Sequence, residues 1–280
     1  MDNEVRSVKR VVAGERAVDG AGVRLVRVLG RNEVDDFDPF LLLDAFDSHD
    51  PDDYIKGFPW HPHRGIETVT YLVAGKIEHG DSLGNKGVIT DGSCQWMTGG
   101  GGIVHQEMPQ ASPRMLGLQL WLNLPKADKL APPAYRDLTP DKIPLVERDG
   151  FTVSVIAGEF DGVKGATGGD YVTMQLLDVS LGAGRDFLLP TDPKATVFLY
   201  IMEGDGECGA PAQKVPTRRA VLFNPGAQLH AKAGPSGMRF VTFAARPLGE
   251  PIAWGGPIVM NTEDEIRQAF KELKEGTFIR

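Results

Sequence analysis

The chain has 280 residues, 41% of them hydrophobic and 24% charged, with 38 acidic against 30 basic side chains and a formal charge of -8. At ~150 residues per domain this is about two domains of ordinary globular composition, long enough to bury a sizeable core, which excludes a disordered or collagen-like chain. The acidic balance argues against direct nucleic-acid binding, and the longest apolar runs, 40–43 and 196–202, fall far short of the ~18 residues a membrane-spanning helix needs.

Read from the N-terminus, MDNEVRSVKR lacks the apolar core of a secretory signal, and Cys94 and Cys208 are too few for a disulfide framework, so an intracellular, cytoplasmic protein is expected. Short apolar stretches then recur between turn signals: VRLVRVL (23–29), ETVTYLVAG (67–75), LGLQLWLNL (116–124), FTVSVIAG (151–158), YVTMQLLDVSL (171–181), TVFLYIMEG (196–204), AVLFNP (220–225) and RFVTFAA (239–245). They are rich in Val, Thr, Tyr and Phe and bounded by Gly, Pro, Asn or Asp, which predicts strands. Leu116, Leu118, Leu120, Leu122 and Leu124 alternate and should face one core. Asp44, Asp47, Asp50, Asp52 and Asp53 read as a solvated acidic loop rather than a calcium site, since the glycine and closing glutamate of an EF-hand loop are missing.

The Pro-rich segment 124–150 predicts a boundary between two β-domains. Setting the chain against itself at an offset of 129 brings YLVAGKIE (71–78) onto YIMEGDGE (200–207) and WMTGG (96–100) onto LFNPG (222–226), as two copies of one domain would. One helix closes the chain over 262–275. Thr262 can cap it, Glu265 completes a capping box, and Ile266, Ala269, Phe270 and Leu273 form an apolar stripe ending before Gly276.

Candidate chemistry lies in the first copy. His61 and His63 flank Pro62, and His105 stands two residues before Glu107 in GSCQWMTGGGGIVHQEMP (92–109). In extended chain, residues i and i+2 share a face, so each pair can converge on one ion. If the two segments are antiparallel neighbours, three neutral imidazoles and one carboxylate meet in a divalent metal site. Nitrogen and oxygen donors without thiolate favour Fe(II), Mn, Co or Ni over structural zinc and leave up to two coordination positions open. The run 99–102 lacks the Lys-Ser/Thr of a phosphate loop and reads as a turn beside the pocket. The second copy puts Pro190 and Asp192 where the first has His61 and His63, so no metal site is expected there.

The stretch FPWHPHRGIETVTYLVAGKIEHGDSLGNKGVITDGSCQWMTGGGGIVHQEMP (58–109) resembles the metal-binding half of the pirin family, and the likeness runs from VRLVRVLG and DPFLLLDAF (38–46) to GPIVMNTEDEIRQAF (256–270). The resemblance implies an all-β bicupin of two tandem cupin-type β-barrels with a C-terminal helix: residues 1–140 as the N-terminal metal-binding barrel and 141–280 as a C-terminal barrel without a metal site, plus the closing helix. It implies that one Fe(II) is held by His61, His63, His105 and Glu107, with Mn, Co or Ni as alternatives and Glu67 in a hydrogen-bonding role.

The activity implied is that of a non-haem quercetin 2,3-dioxygenase, which opens a flavonol with O2 and releases carbon monoxide, Glu107 being the catalytic group that accepts the substrate proton. The alternative implied is an iron-dependent regulatory protein that binds a protein partner without turnover of its own, in the nucleus if the source is eukaryotic. A metal-dependent isomerase is a weaker third reading. Lys9-Arg10 and Arg218-Arg219 are isolated basic pairs, too few for a nucleic-acid stripe.

Overall fold

The alternating stretches become strands close to their expected bounds, among them Val23–Leu29, Ile66–Ala74, Met115–Asn123 and Phe151–Ala157. The computed structural model describes residues 4–279, and the molecule is 55% strand and 8% helix, built as two cupin domains with one C-terminal helix. Among the described residues no helix is long and apolar enough to cross a membrane.

One unit comprises residues 15–34, 40–140 and 248 onward. Its seven-stranded antiparallel sheet runs in the order Ala134–Leu138, Cys94–Thr98, Ile66–Ala74, Met115–Asn123, Phe40–Ser48, Val23–Leu29 and Glu15–Asp19. A four-stranded sheet, Phe58–His63, Ile103–Gln110, Lys76–Asp81 and Lys86–Ile89, completes the barrel wall. Leu116, Leu118, Leu120, Leu122 and Leu124 are all buried, as the alternation predicts. The residues between them face the opposite way, and Gln119 and Trp121 line a cavity.

The other unit comprises the segment ending at Gly14, residues 35–39 and residues 141–247. Its nine-stranded sheet is centred on Thr196–Cys208 paired with Gln228–Ala245. The interior is filled by apolar side chains, including Phe151, Phe160, Phe187 and Phe240. Phe160 and Phe187 stack at 5.7 Å, and Phe240 meets Phe187 edge-on at 5.7 Å. Pro190 ends the strand Asp186–Pro190, while His230 stands 2.9 Å from Asp186 Oδ1.

The division into 1–140 and 141–280 is corrected at both chain ends. The strand Val8–Val12 pairs with Ala220–Phe223 and so belongs with the second barrel. The hairpin Ala253–Gly255/Ile258–Met260 and the helix Glu263–Glu275 belong with the first. Physical ties fix that assignment: Val259 N donates to Arg64 O at 3.0 Å, and the Lys129 ammonium donates to Gly65 O, Asn123 Oδ1 and Val259 O at 2.8, 2.5 and 2.9 Å. Three acceptors match the three donors of a buried ammonium.

The helix begins as its sequence predicts, with Thr262 Oγ1 accepting from Glu265 N and the Glu265 carboxylate accepting from Thr262 N, and it ends at Gly276 with φ 73°. Its stripe differs in one respect. Phe270 is 45% exposed, whereas Glu272 is 7% exposed, because the Glu272 carboxylate pairs with the buried Arg64 at 2.7 Å. The acidic run also differs from a solvated loop. Asp44 and Asp47 lie in the strand Phe40–Ser48, bonded to Arg27 and Arg114, and Asp50 caps the short 3-10 turn that follows.

Candidate metal centre

The strand Phe58–His63 lies antiparallel to Ile103–Gln110, with His61 opposite His105 and His63 opposite Ile103. Along Ile103–Gln110 every second residue is buried, which turns His105 and Glu107 inward together. Pro62 holds one φ fixed between the two first histidines. The turn 99–102 comes as close as its glycines suggest. A side chain at Gly99 would meet His63 Cβ at 3.2 Å, and at Gly102, with φ 143°, it would collide with the Phe278 carbonyl.

His61, His63 and His105 each offer a ligand atom, and these atoms lie within 4.8 Å of one another. The ring centroids are 4.8 Å apart for His61 and His63, 4.3 Å for His61 and His105, and 5.0 Å for His63 and His105. Nδ1 of His61 is 2.9 Å from Pro59 O, and Nδ1 of His63 is 3.2 Å from Pro257 O. A carbonyl only accepts, so both Nδ1 atoms carry the proton and both Nε2 atoms keep a lone pair. His105 is fully buried, and neither ring nitrogen has a hydrogen-bond partner among the described residues. A buried imidazole with no partner is costly unless something else takes its lone pair.

Burial holds all three imidazoles neutral. It lowers the pKa of His61, that of His63 to about 3, and that of His105 well below the ordinary value, with the neighbouring imidazoles adding to the shift for His63 and His105. The donor set and the orphaned nitrogens therefore fit one divalent ion.

Glu107 stands apart from this group of three. It is buried, lines the same cavity as His61 and His63, and its Oε1 accepts from Thr70 Oγ1 at 2.9 Å. Burial pushes its carboxyl up to about 7, partly offset by the Thr70 hydrogen bond. Glu67 is also buried, on Ile66–Ala74, where its Oε1 accepts from Thr98 Oγ1 at 2.8 Å.

The cavity measures about 630 Å³, inside the ~300–1,000 Å³ range of small-molecule sites. Its aromatic wall pairs Trp121 with Trp254, centroids 5.9 Å apart at 35°. Trp121 meets His63 edge-on at 5.0 Å. Arg31 lies over Trp254 at 5.4 Å and donates to its carbonyl at 2.6 Å.

Sequence reading passed over Trp254, Arg31, Arg27 and His79. The last sits 5.4 Å from the His105 ring, stacked on Tyr135 at 4.6 Å. His79 and Asp81 form an i, i+2 pair that could have marked it. Trp254 and Arg31 carry no such local signal, since their partners are distant in the chain.

The family model described as Pirin matches residues 22–122, and that described as Pirin C-terminal cupin domain matches residues 176–279. A pirin-like protein of Caulobacter vibrioides is 43% identical over 277 residues, covering 98% of this chain and 99% of the other. Human pirin is 38% identical over 278 residues, covering 97% and 94%. The crystal structure of a quercetin 2,3-dioxygenase from Acinetobacter baumannii superposes with a TM-score of 0.90 at 29% identity, covering 98% of each chain.

Proposed function

The chain belongs to the pirin family, and on that premise we propose that it is a metal-dependent dioxygenase, with Fe(II) as its metal, that opens flavonols such as quercetin with O2. One observation carries the reading: the buried His105, without a hydrogen-bond partner, faces two imidazoles whose Nε2 lone pairs are free, beside a cavity of flavonol size. His61, His63, His105 and Glu107 would hold the ion. A divalent cation there supplies positive charge that favours the ionised form of a neighbouring substrate hydroxyl.

The chain's own residues do the rest. Trp121 and Trp254 present apolar faces to a planar ligand. Glu107 would accept the proton of the flavonol 3-hydroxyl, and the Thr70 hydroxyl fixes the carboxylate that receives it. The products expected are the ring-opened ester and carbon monoxide.

Protein loaded anaerobically with Fe(II) and then mixed with quercetin and air should bleach the flavonol absorbance with release of one carbon monoxide per flavonol. No turnover with Fe, Mn, Co or Ni would overturn the reading and favour an iron-dependent partner-binding protein instead.

Acid should weaken the metal. Below pH 7 the raised Glu107 carboxyl of the metal-free protein holds its proton, and a ligating carboxylate must lose it. Loading at pH 6 is therefore expected to release about one proton per ion from this group, and affinity to fall about tenfold per pH unit below 7. Titration calorimetry in buffers of different ionisation heat measures the release; none at pH 6 would overturn this expectation.

A further inference from the structure

The cavity lined by His61, His63 and Glu107 has a second polar wall, and its arrangement is that of a donor held ready. Arg27 on Val23–Leu29 lies in register with Asp44 on Phe40–Ser48. Its Nε and Nη2 donate to the two Asp44 oxygens at 3.0 and 2.8 Å, and Nη2 donates also to Asp19 Oδ2 at 2.6 Å. Three of the five guanidinium N–H groups are thereby used. The two on Nη1 have no partner among the described residues, and Arg27, Asp19 and Asp44 all line the cavity with His61, His63 and Glu107.

Asp44 is 4% exposed. Its partner Arg27 is half-buried, and a partly desolvated pair of this kind gives little stability beyond that of apolar residues of the same size. What the two-pronged bond does supply is orientation, since it locks the plane of the guanidinium and leaves one edge of it free.

The charges define what that edge can take. One guanidinium against two carboxylates leaves the cluster with a net charge of one negative, which repels an ionised carboxylate brought alongside. An uncharged hydroxyl suits both partners: it accepts from Nη1 and donates to a carboxylate oxygen of Asp19. The apolar lining from Trp121, Trp254 and Phe58 suits an aromatic ring carrying that hydroxyl.

We propose that Arg27, aimed by Asp44, is the specificity-determining residue of this cavity, selecting aromatic ligands that bear an uncharged hydroxyl in addition to the one presented to the three histidines. This rests on the flavonol reading given above, and it names what that reading leaves open, the feature by which one flavonol is preferred to another.

The test is anaerobic binding to metal-loaded protein, followed by absorbance, with quercetin and with 3-hydroxyflavone, which keeps the 3-hydroxyl and lacks all the others. The wild-type protein is expected to bind quercetin about tenfold more tightly or better, as one or two hydrogen bonds would give. In Arg27→Lys, which keeps the charge and loses the fork, the preference should drop below about threefold, with 3-hydroxyflavone affinity within about threefold of wild type. Should that variant not fold, Arg27→Met/Asp44→Leu removes both charges together and should lose the preference in the same way.

A quercetin preference that survives either folded variant, or that is absent from the wild type while 3-hydroxyflavone binds, would overturn this proposal alone. Binding of neither compound by the wild type would overturn the flavonol reading and this proposal with it.

Discussion

His105→Ala is expected to leave the protein folded and unable to keep a divalent ion. In the metal-free molecule both ring nitrogens of His105 are buried without partners, so removing the ring relieves an unmet polar group while opening a small void. These effects oppose each other, each on the order of 1–3 kcal/mol. Stability without metal should therefore change little.

With metal the outcome differs sharply. At an ion concentration a thousandfold above Kd, binding adds about 4 kcal/mol to the wild type, and the variant should gain none of it. Denaturant midpoints measured with and without Fe(II) or Ni(II) test this, together with metal content by elemental analysis, expected to fall from about one equivalent to near zero. Flavonol turnover should drop by on the order of 10³ or more, equivalent to about 4 kcal/mol in the barrier. A variant that retains the ion and its stabilisation would take His105 out of the centre.

The largest effect on stability is expected at the pair formed by Arg64 and Glu272. Their side chains are 2% and 9% exposed and meet at 2.7 Å. Arg64 also donates to Phe278 O at 2.8 Å and lies 4.2 Å from the centre of the Phe278 ring. Arg64→Met leaves a carboxylate buried without its counter-charge and should cost about 3–5 kcal/mol, and Glu272→Leu a similar amount.

The double variant Arg64→Met/Glu272→Leu removes both charges and should recover much of the loss, so the two single costs will not add. Urea midpoints at constant m-value report the comparison. A double variant as unstable as the sum of the singles would mean that the two side chains are not coupled and that each acts through its other contacts.

Much of this architecture could be read from local pattern, because the signals involved are local. Period-two alternation marked Met115–Asn123 as a strand, and the Thr262 and Glu265 box marked the helix start. The same two-residue period turned His61 with His63, and His105 with Glu107, toward shared faces. The structure brings the three histidines together; it leaves Glu107 beside them, bonded to Thr70.

What stayed illegible depends on distant parts of the chain. Nothing in the helix reveals that Glu272 is buried, since its partner Arg64 is remote in sequence. The acidic run gave no hint that Asp44 is a buried strand residue, because Arg27 reaches it only through strand pairing. The exchange of chain ends between the two units is likewise set by pairings such as Val8–Val12 with Ala220–Phe223, and alternation alone is silent on which sheet a strand joins.

That exchange imposes an order of events during synthesis. A nascent chain that has emerged as far as Pro140 already carries His61, His63 and His105, but neither the Pro257 carbonyl that fixes the His63 tautomer nor the Glu272 carboxylate that neutralises Arg64. Both arrive only after residues 257 and 272 have been made, later than every part of the other unit, which ends at residue 247, so the histidine-bearing barrel is the later of the two to be completed and its metallation in the mature geometry waits for those residues.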